Sequence, residues 1–196
     1  DSIIYKKKIN LQNKTSWKNL KKYNLLINLA NMTDIPSSWN DSHKFIKNNF
    51  LINLNALEYC KKNKCKYISL SSYLYKYKKN SYLKEDDKLQ PSSPYHLSLY
   101  LNEKTCLNYN KLFGVKSLIL RVSNVYGYGQ NRKFLIPQLF YQADNFNKVT
   151  VLDIKPRRNF IYIDDVLQAI KKSIFLDYEH EVINIASENS YSVHDI

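Results

Sequence analysis

Short apolar runs alternate with long helical patterns along this chain, and that alternation narrows its possible folds more than any other feature. "NLLINLA" (Asn24 to Ala30), "KYISLSS" (Lys66 to Ser72) and "VKSLILRVSNVYG" (Val115 to Gly127) are largely apolar and of strand length. A strand that is apolar on both faces belongs in a parallel sheet covered by crossover helices. Between the first two runs, Phe45, Phe50, Leu54 and Leu57 recur at helical spacing and predict a helix over about 42–62. Pro94 suits a first helical turn and Gly114 a position just past a helix end, which predicts a helix over about 94–113. Farther on come a helix near 136–146, strands "VTVLDI" and "NFIYI", a helix from Asp164, strand "EVINIAS" and a helix beginning in "SYSVHDI". Upstream, "SIIYKKKINL" reads as a strand, "TSWKNLKKY" as a helix capped by Thr15, and the stretch with Pro36 and "SSWNDS" as a loop. The pattern as a whole predicts an open, mostly parallel α/β sheet.

Composition removes several classes of function. No run approaches the roughly 18 apolar residues of a membrane span, and "DSIIYKKKIN" lacks the basic–apolar–small order of a secretory signal. The expected setting is cytoplasmic, with no membrane partner. Cys60, Cys65 and Cys106 lack metal-ligand spacing and read as reduced, structural thiols, with no metal expected. The net charge of +13 raises the question of nucleic acid, but the lysines are scattered through "NLKKY", "KKNKCK" and "LYKYKK" rather than gathered on one element. A basic RNA-binding domain stays as a third reading; a phosphate-bearing small substrate suits the charge better. The 3 glycines are Gly114, Gly127 and Gly129, so nothing before Gly114 can form a glycine-rich phosphate loop.

In sheets of this kind ligands bind beyond the carboxyl ends of the strands. Those ends carry Ala30-Asn31, Ser71-Ser72 and Ser123-Asn124. A serine at one strand end and Tyr95, opening the next helix in "SSPYHLSLYLNEK", could meet around a substrate hydroxyl. A phenol becomes a general acid–base when its pKa falls from about 10. A lysine at i+4 shares its helical face and would lower it; here that position is Leu99. "YKYKK" is a literal Tyr-x-x-x-Lys, Tyr75 with Lys79, but it lies in a polar stretch after a strand and is set aside.

Six segments, in order, resemble the extended short-chain dehydrogenase/reductases, the NAD-dependent nucleotide-sugar epimerase/dehydratase family. "LLINLAN" resembles its strand ending in His-Leu-Ala-Ala, and "NFLINLNALEYCKK" its Asn-Val-x-Gly-Thr-x-Asn-Leu-Leu-Glu-Ala helix. "YISLSSYLYK" resembles Ser-Ser-Ser-x-x-Val-Tyr-Gly, and "SPYHLS" resembles Pro-Tyr-x-x-Ser-Lys. "LILRVSNVYGYGQ" and "RRNFIYIDDV" resemble Leu-Arg-x-x-Asn-Val-Tyr-Gly-Pro-Gly-Gln and Arg-x-Arg-Asp-Phe-x-x-Val-Asp-Asp-Val.

The resemblance implies a Rossmann-like, mostly parallel doubly wound sheet, N-terminally truncated, over 1–128, and part of a small substrate-binding region over 129–196. It implies NAD or NADP as cofactor, a nucleotide-diphosphate sugar as substrate, and a homodimer through the helices at 42–62 and 94–113. By the same resemblance Tyr95 is the acid–base, Ser71 orients the sugar hydroxyl, and Leu99 stands at the lysine position. Asn49 falls near the nicotinamide side, Leu29 and Ala30 pack against the cofactor, and Asn10 sits where an aspartate contacts adenine. Asn124 and Arg158 match contacts to the nucleotide diphosphate, as a guanidinium suits. Each has a plainer competitor: Ser71 as a turn cap, Arg158 paired with Asp153, Asn124 as an Asx turn, and Asp164 and Asp165 as a helix start. Tyr73 stands where dehydratases carry glutamate, which favours an epimerase or reductase over a dehydratase. The expected function is an NAD(P)-dependent epimerase or reductase impaired by Leu99. The alternative is a non-catalytic nucleotide-sugar-binding or interaction module.

Overall fold

The computed structural model describes residues 9–73 and 82–196. The expected strand over "SIIYKKKINL" lies largely outside them, as do Tyr75 and Lys79. The chain forms two compact units, Asp1–Leu120 with Asp177–Ile183, and Arg121–Leu176 with Asn184–Ile196.

In the first unit, β1 (Leu25–Asn28) pairs in parallel with β2 (Lys66–Ser72), with Ile27 opposite Ile68. The sheet continues through β3 (Ser117–Val122) to β6 (His180–Ile185), in the order β1-β2-β3-β6. Each strand-to-strand step skips a stretch of chain long enough for a crossover, as the sequence pattern requires. Two helices supply the cover. The first, α2 (Ser42–Asn63), starts where the Asp41 carboxylate accepts the Lys44 N–H at 3.0 Å, and stops at Lys64 in the left-handed region, φ 53°. The second, α3 (Pro94–Phe113), is capped by Ser93 and stopped by Gly114 at φ 65°. Leu57, Cys60, Tyr67, Cys106 and Ile119 are buried together where α2 and α3 meet the sheet. Full burial of one such large apolar side chain stabilises by about 1.5–3 kcal/mol.

The second unit carries a separate three-stranded sheet. Here β4 (Asn124–Tyr126) runs parallel to β5 (Arg157–Tyr162), which pairs antiparallel with β7 (Ser190–Ser192). Two helices belong to it, α4 (Leu135–Asn145) and α5 (Ile163–Ile174). Gly127 is required at the end of β4, because a Cβ there would overlap the Ile163 side chain.

Five expectations differ from the structure. The segment with Pro36 is a short helix, α1 (Ile35–Asn40), because Asp34 caps the Ser37 N–H and Pro36 fits its first turn. "TSWKNLKKY" makes only a 3₁₀ turn, Lys14–Trp17, and its cap is Asn13 rather than Thr15. "VKSLILRVSNVYG" is two strands in two sheets, β3 and β4, broken at Ser123. "VTVLDI" is not a strand: the Gln142 side chain takes both the N–H and the C=O of Thr150, and Leu152 is fully exposed. "SYSVHDI" opens with β7 rather than a helix, since Ser190–Ser192 find a free edge on β5. Among the described residues no helix is long and apolar enough to cross a membrane.

Candidate active site

The start of α3 is fixed by local chemistry. Ser93 Oγ accepts the His96 N–H at 3.1 Å, and Pro94 needs no partner for the N–H it lacks. Tyr95 therefore sits in the first turn, and Leu99 and Glu103 follow it at i+4 and i+8 on one stripe. That stripe is turned inward. Leu99 is 1% exposed, Glu103 5%, and Tyr95 is partly buried.

Burial raises the Tyr95 phenol to about 12, and the neighbouring Tyr73 adds to the rise. At neutral pH Tyr95 is thus a proton donor. The lysine position holds a hydrocarbon in full contact with the core. The His96 ring lies 5.3 Å from that of Tyr95, and its Nδ1 is 2.9 Å from Ser92 Oγ. Burial holds the His96 pKa down, so the imidazole is neutral and supplies Tyr95 no cation.

Ser71 lies near the end of β2, 9% exposed, and donates its hydroxyl to Glu103 Oε1 at 2.5 Å. This is the length of a charge-assisted O–H···O⁻ bond. Among the described residues no hydrogen bond joins Ser71 to Tyr95.

At the end of β1, Leu29 is 59% exposed and the Ala30 N–H is held by Asn28 Oδ1 at 3.0 Å. A groove of about 570 Å³ runs along this strand, lined by Leu11, Trp17, Leu25, Ile27, Leu29 and Tyr59 among others. Asn49 is fully buried. Its Oδ1 accepts the Met32 N–H at 2.8 Å, and its Nδ2 donates to Met32 O at 3.2 Å and Ser98 Oγ at 2.9 Å. It thus pins the segment after β1 to α2 and α3. Asn10 is exposed, and its Oδ1 accepts the Gln12 N–H at 3.0 Å.

In the second unit, Asn124 Nδ2 donates to Asn159 O at 2.9 Å. Arg158 lies exposed on β5 opposite Tyr191. Its neighbour Arg157 takes the ion pair with Asp195 at 3.1 Å, and Asp153 caps the Lys155 N–H at 2.9 Å. Asp164 and Asp165 stand in the first turn of α5, where acidic groups suit the helix dipole.

Glu103 and His96 join the site in the structure without having been singled out by the sequence pattern. Glu103 had a legible signal, an acid two turns beyond Tyr95 on the same face. The Ser92–His96 pairing had the i, i+4 spacing, a spacing that many solvated polar pairs on helices share.

The profile of the NAD dependent epimerase/dehydratase family matches residues 6–186. A putative UDP-glucose 4-epimerase of Methanocaldococcus jannaschii is 32% identical over 155 residues, 76% of this chain and 50% of that protein. The UDP-N-acetylglucosamine 4-epimerase of Methanobrevibacter ruminantium superposes with a TM-score of 0.86 at 27% identity, over 94% of this chain and 62% of that one. The UDP-glucuronic acid 4-epimerase of Bacillus cereus, solved with UDP-glucuronic acid and NAD, gives 0.86 at 28%, over 95% and 61%. The chain spans about half the length of the curated relatives it matches. The sheet and its helices are accordingly a Rossmann-like α/β fold.

Proposed function

The chain belongs to the NAD dependent epimerase/dehydratase family, and we propose from this that it serves an NAD(P)-dependent nucleotide-sugar epimerase or reductase. In this reading Tyr95 and Ser71 flank the carbinol that reacts, and Asn124 and Arg158 hold the nucleotide diphosphate. The observation that carries it is the first turn of α3. Ser93 and Pro94 fix Tyr95 there, and Tyr95, Leu99 and Glu103 form one inward stripe.

The exposed Leu29 and the groove along β1 suit an apolar wall for the dinucleotide, and Asn49, engaged by Met32 and Ser98, holds the segment that follows β1. When bound, NAD or NADP would supply the hydride acceptor. The chain's own residues would orient the carbinol and exclude water from it, and the Tyr95 oxygen would take up the hydroxyl proton once its own proton is lost, which its raised pKa opposes at neutral pH.

A second reading, a nucleotide-sugar-binding module without turnover, is favoured by Leu99. A residue 1% exposed in the core is not a site vacated at the surface. The family likeness also extends the reading to a cytoplasmic homodimer pairing α2 and α3, which light scattering would check.

The test is calorimetry with UDP-glucose, followed by incubation with UDP-glucose and NAD. Binding that weakens about tenfold or more in Arg158→Ala supports the nucleotide-sugar site. Binding with product formation identifies the enzyme, and binding without it identifies the module. If UDP-glucose, dTDP-glucose and GDP-mannose all fail to bind, the reading falls.

A further inference from the structure

The bond between Ser71 and Glu103 joins residues 32 positions apart, both nearly excluded from solvent. A serine hydroxyl has one proton and two lone pairs, and an ionised carboxylate can only accept. At 2.5 Å the proton between them belongs to a charge-assisted bond, stronger than any a neutral ligand oxygen offers in competition. The Ser71 proton is thus committed to the protein interior, and only the lone pairs remain for a ligand. We propose that Glu103 is a positioning residue that makes Ser71 an obligate hydrogen-bond acceptor, so that the site selects a ligand carrying a hydroxyl, and rejects one with a keto oxygen or fluorine at that point.

This rests on the reading of Ser71 as facing a sugar carbinol, and within it favours the nucleotide-sugar module without turnover, since the carbonyl that an epimerase forms or a reductase takes up would meet only lone pairs at Ser71. The ligand hydroxyl donates to Ser71 Oγ, Ser71 donates to Glu103, and the ligand oxygen is left to accept from Tyr95, which is itself protonated. Each oxygen in the series then has one proton and one role. Leu99 contributes by occupying the turn between Tyr95 and Glu103 with hydrocarbon, so that no ammonium on that turn competes for the carboxylate. The class of ligand that satisfies this direction is a nucleotide sugar in its alcohol form.

The test has two arms. In the protein alone, proton NMR should show a serine hydroxyl resonance far downfield and slow to exchange, absent in Ser71→Ala and in Glu103→Gln. Glu103→Gln retains the shape of the side chain, and the backbone spectrum reports whether each variant is folded. Loss of the signal in a folded Glu103→Gln ties the hydroxyl to that carboxylate, and the ligand arm separates orientation of Ser71 from a merely structural bond. In the second arm, UDP-glucose should bind about tenfold more tightly than UDP-4-deoxy-4-fluoro-glucose, the ratio expected of one hydrogen bond of ordinary strength. That ratio should fall towards one in Ser71→Ala. The proposal is overturned if the hydroxyl signal is missing, if it survives unchanged in Glu103→Gln, or if the fluoro analogue binds as tightly as UDP-glucose. If neither nucleotide binds, the functional reading of the site falls, and the NMR arm alone decides whether Glu103 orients Ser71.

Discussion

Replacing Leu99 by lysine restores a cation one turn from Tyr95 and one turn from Glu103, and its consequences are calculable. Unit charges about 5 Å apart at an effective dielectric of about 20 interact by about 3 kcal/mol. A phenolate so placed gains about two pKa units of stabilisation. The sign is fixed: a positive neighbour favours the charged form of a phenol, so the Tyr95 pKa falls from its present value of about 12. The cost is also fixed in sign. Leu99 is 1% exposed, so the variant loses about 2 kcal/mol of apolar burial and must desolvate an ammonium. An ion pair with Glu103 offsets part of that penalty and draws the ammonium away from Tyr95. Leu99→Lys alone should therefore lower the Tyr95 pKa by about one unit, and Leu99→Lys with Glu103→Gln by about two, at a stability loss of about 3 kcal/mol.

The assay is a near-ultraviolet titration of tyrosinate absorbance. Because the chain has 17 tyrosines, each variant is read as the difference from the same variant carrying Tyr95→Phe. Leu99→Met serves as the uncharged control and should leave Tyr95 unmoved. A folded Leu99→Lys protein whose Tyr95 still titrates at about 12 would refute the account of the stripe as one electrostatic unit.

Three further outcomes follow from the same structure. His96 and His180 both have pKa values held down by burial, so the unfolded state takes up protons first; stability should be complete above about pH 6.5 and fall on acidification, by up to about 1.4 kcal/mol per pH unit for each histidine. Urea midpoints at about pH 7.5 and 5.5 check this, and His96→Phe should flatten the dependence. Asn49→Leu strands the Met32 N–H and removes the donor to Ser98 Oγ, whose own proton stays on Tyr95 O, and should cost about 1–3 kcal/mol, seen as a lower denaturant midpoint at unchanged slope. Gly127→Ala should cost about 1–3 kcal/mol through overlap with Ile163, whereas Gly129→Ala, at φ 79° with open space around it, should cost only about 1 kcal/mol of backbone strain. Equal losses at both glycines would contradict the close approach at Gly127.

The parts of the fold that could be read from the sequence are those whose signals are local. Apolar spacing with flanking Pro94 and Gly114 marks α3 to the residue, and "KYISLSS" coincides with β2. What escaped reading depended on partners distant in sequence. "VTVLDI" has strand composition, but a strand also needs a neighbour, and the Gln142 side chain takes the backbone groups a neighbour would have used. "SYS" is too short to carry a pattern, yet it pairs because β5 leaves an edge open to it. Within the site, the first-turn position of Tyr95 was legible for the same reason that α3 was. The engagement of Asn49 by Met32 was not, since it depends on how the chain leaves β1.

Glu103 shows where that boundary falls within a single helix. Helical periodicity alone places Tyr95, Leu99 and Glu103 on one stripe, so the replacement of an expected cation by hydrocarbon, with an acid one turn later, could be read without coordinates. Which way the acid acts could not. Facing Tyr95 alone, it would only oppose ionisation of the phenol. Bonded to Ser71 across 32 residues, it decides which atom of the serine a ligand meets. The lost lysine and the buried acid then have separate effects: the first leaves Tyr95 protonated, and the second leaves Ser71 able only to accept. Restoring the lysine would correct one of them and disturb the other, because the new ammonium and the Ser71 hydroxyl would compete for the same carboxylate. Recovery of Tyr95 ionisation and retention of the Ser71–Glu103 bond should therefore trade against each other in Leu99→Lys.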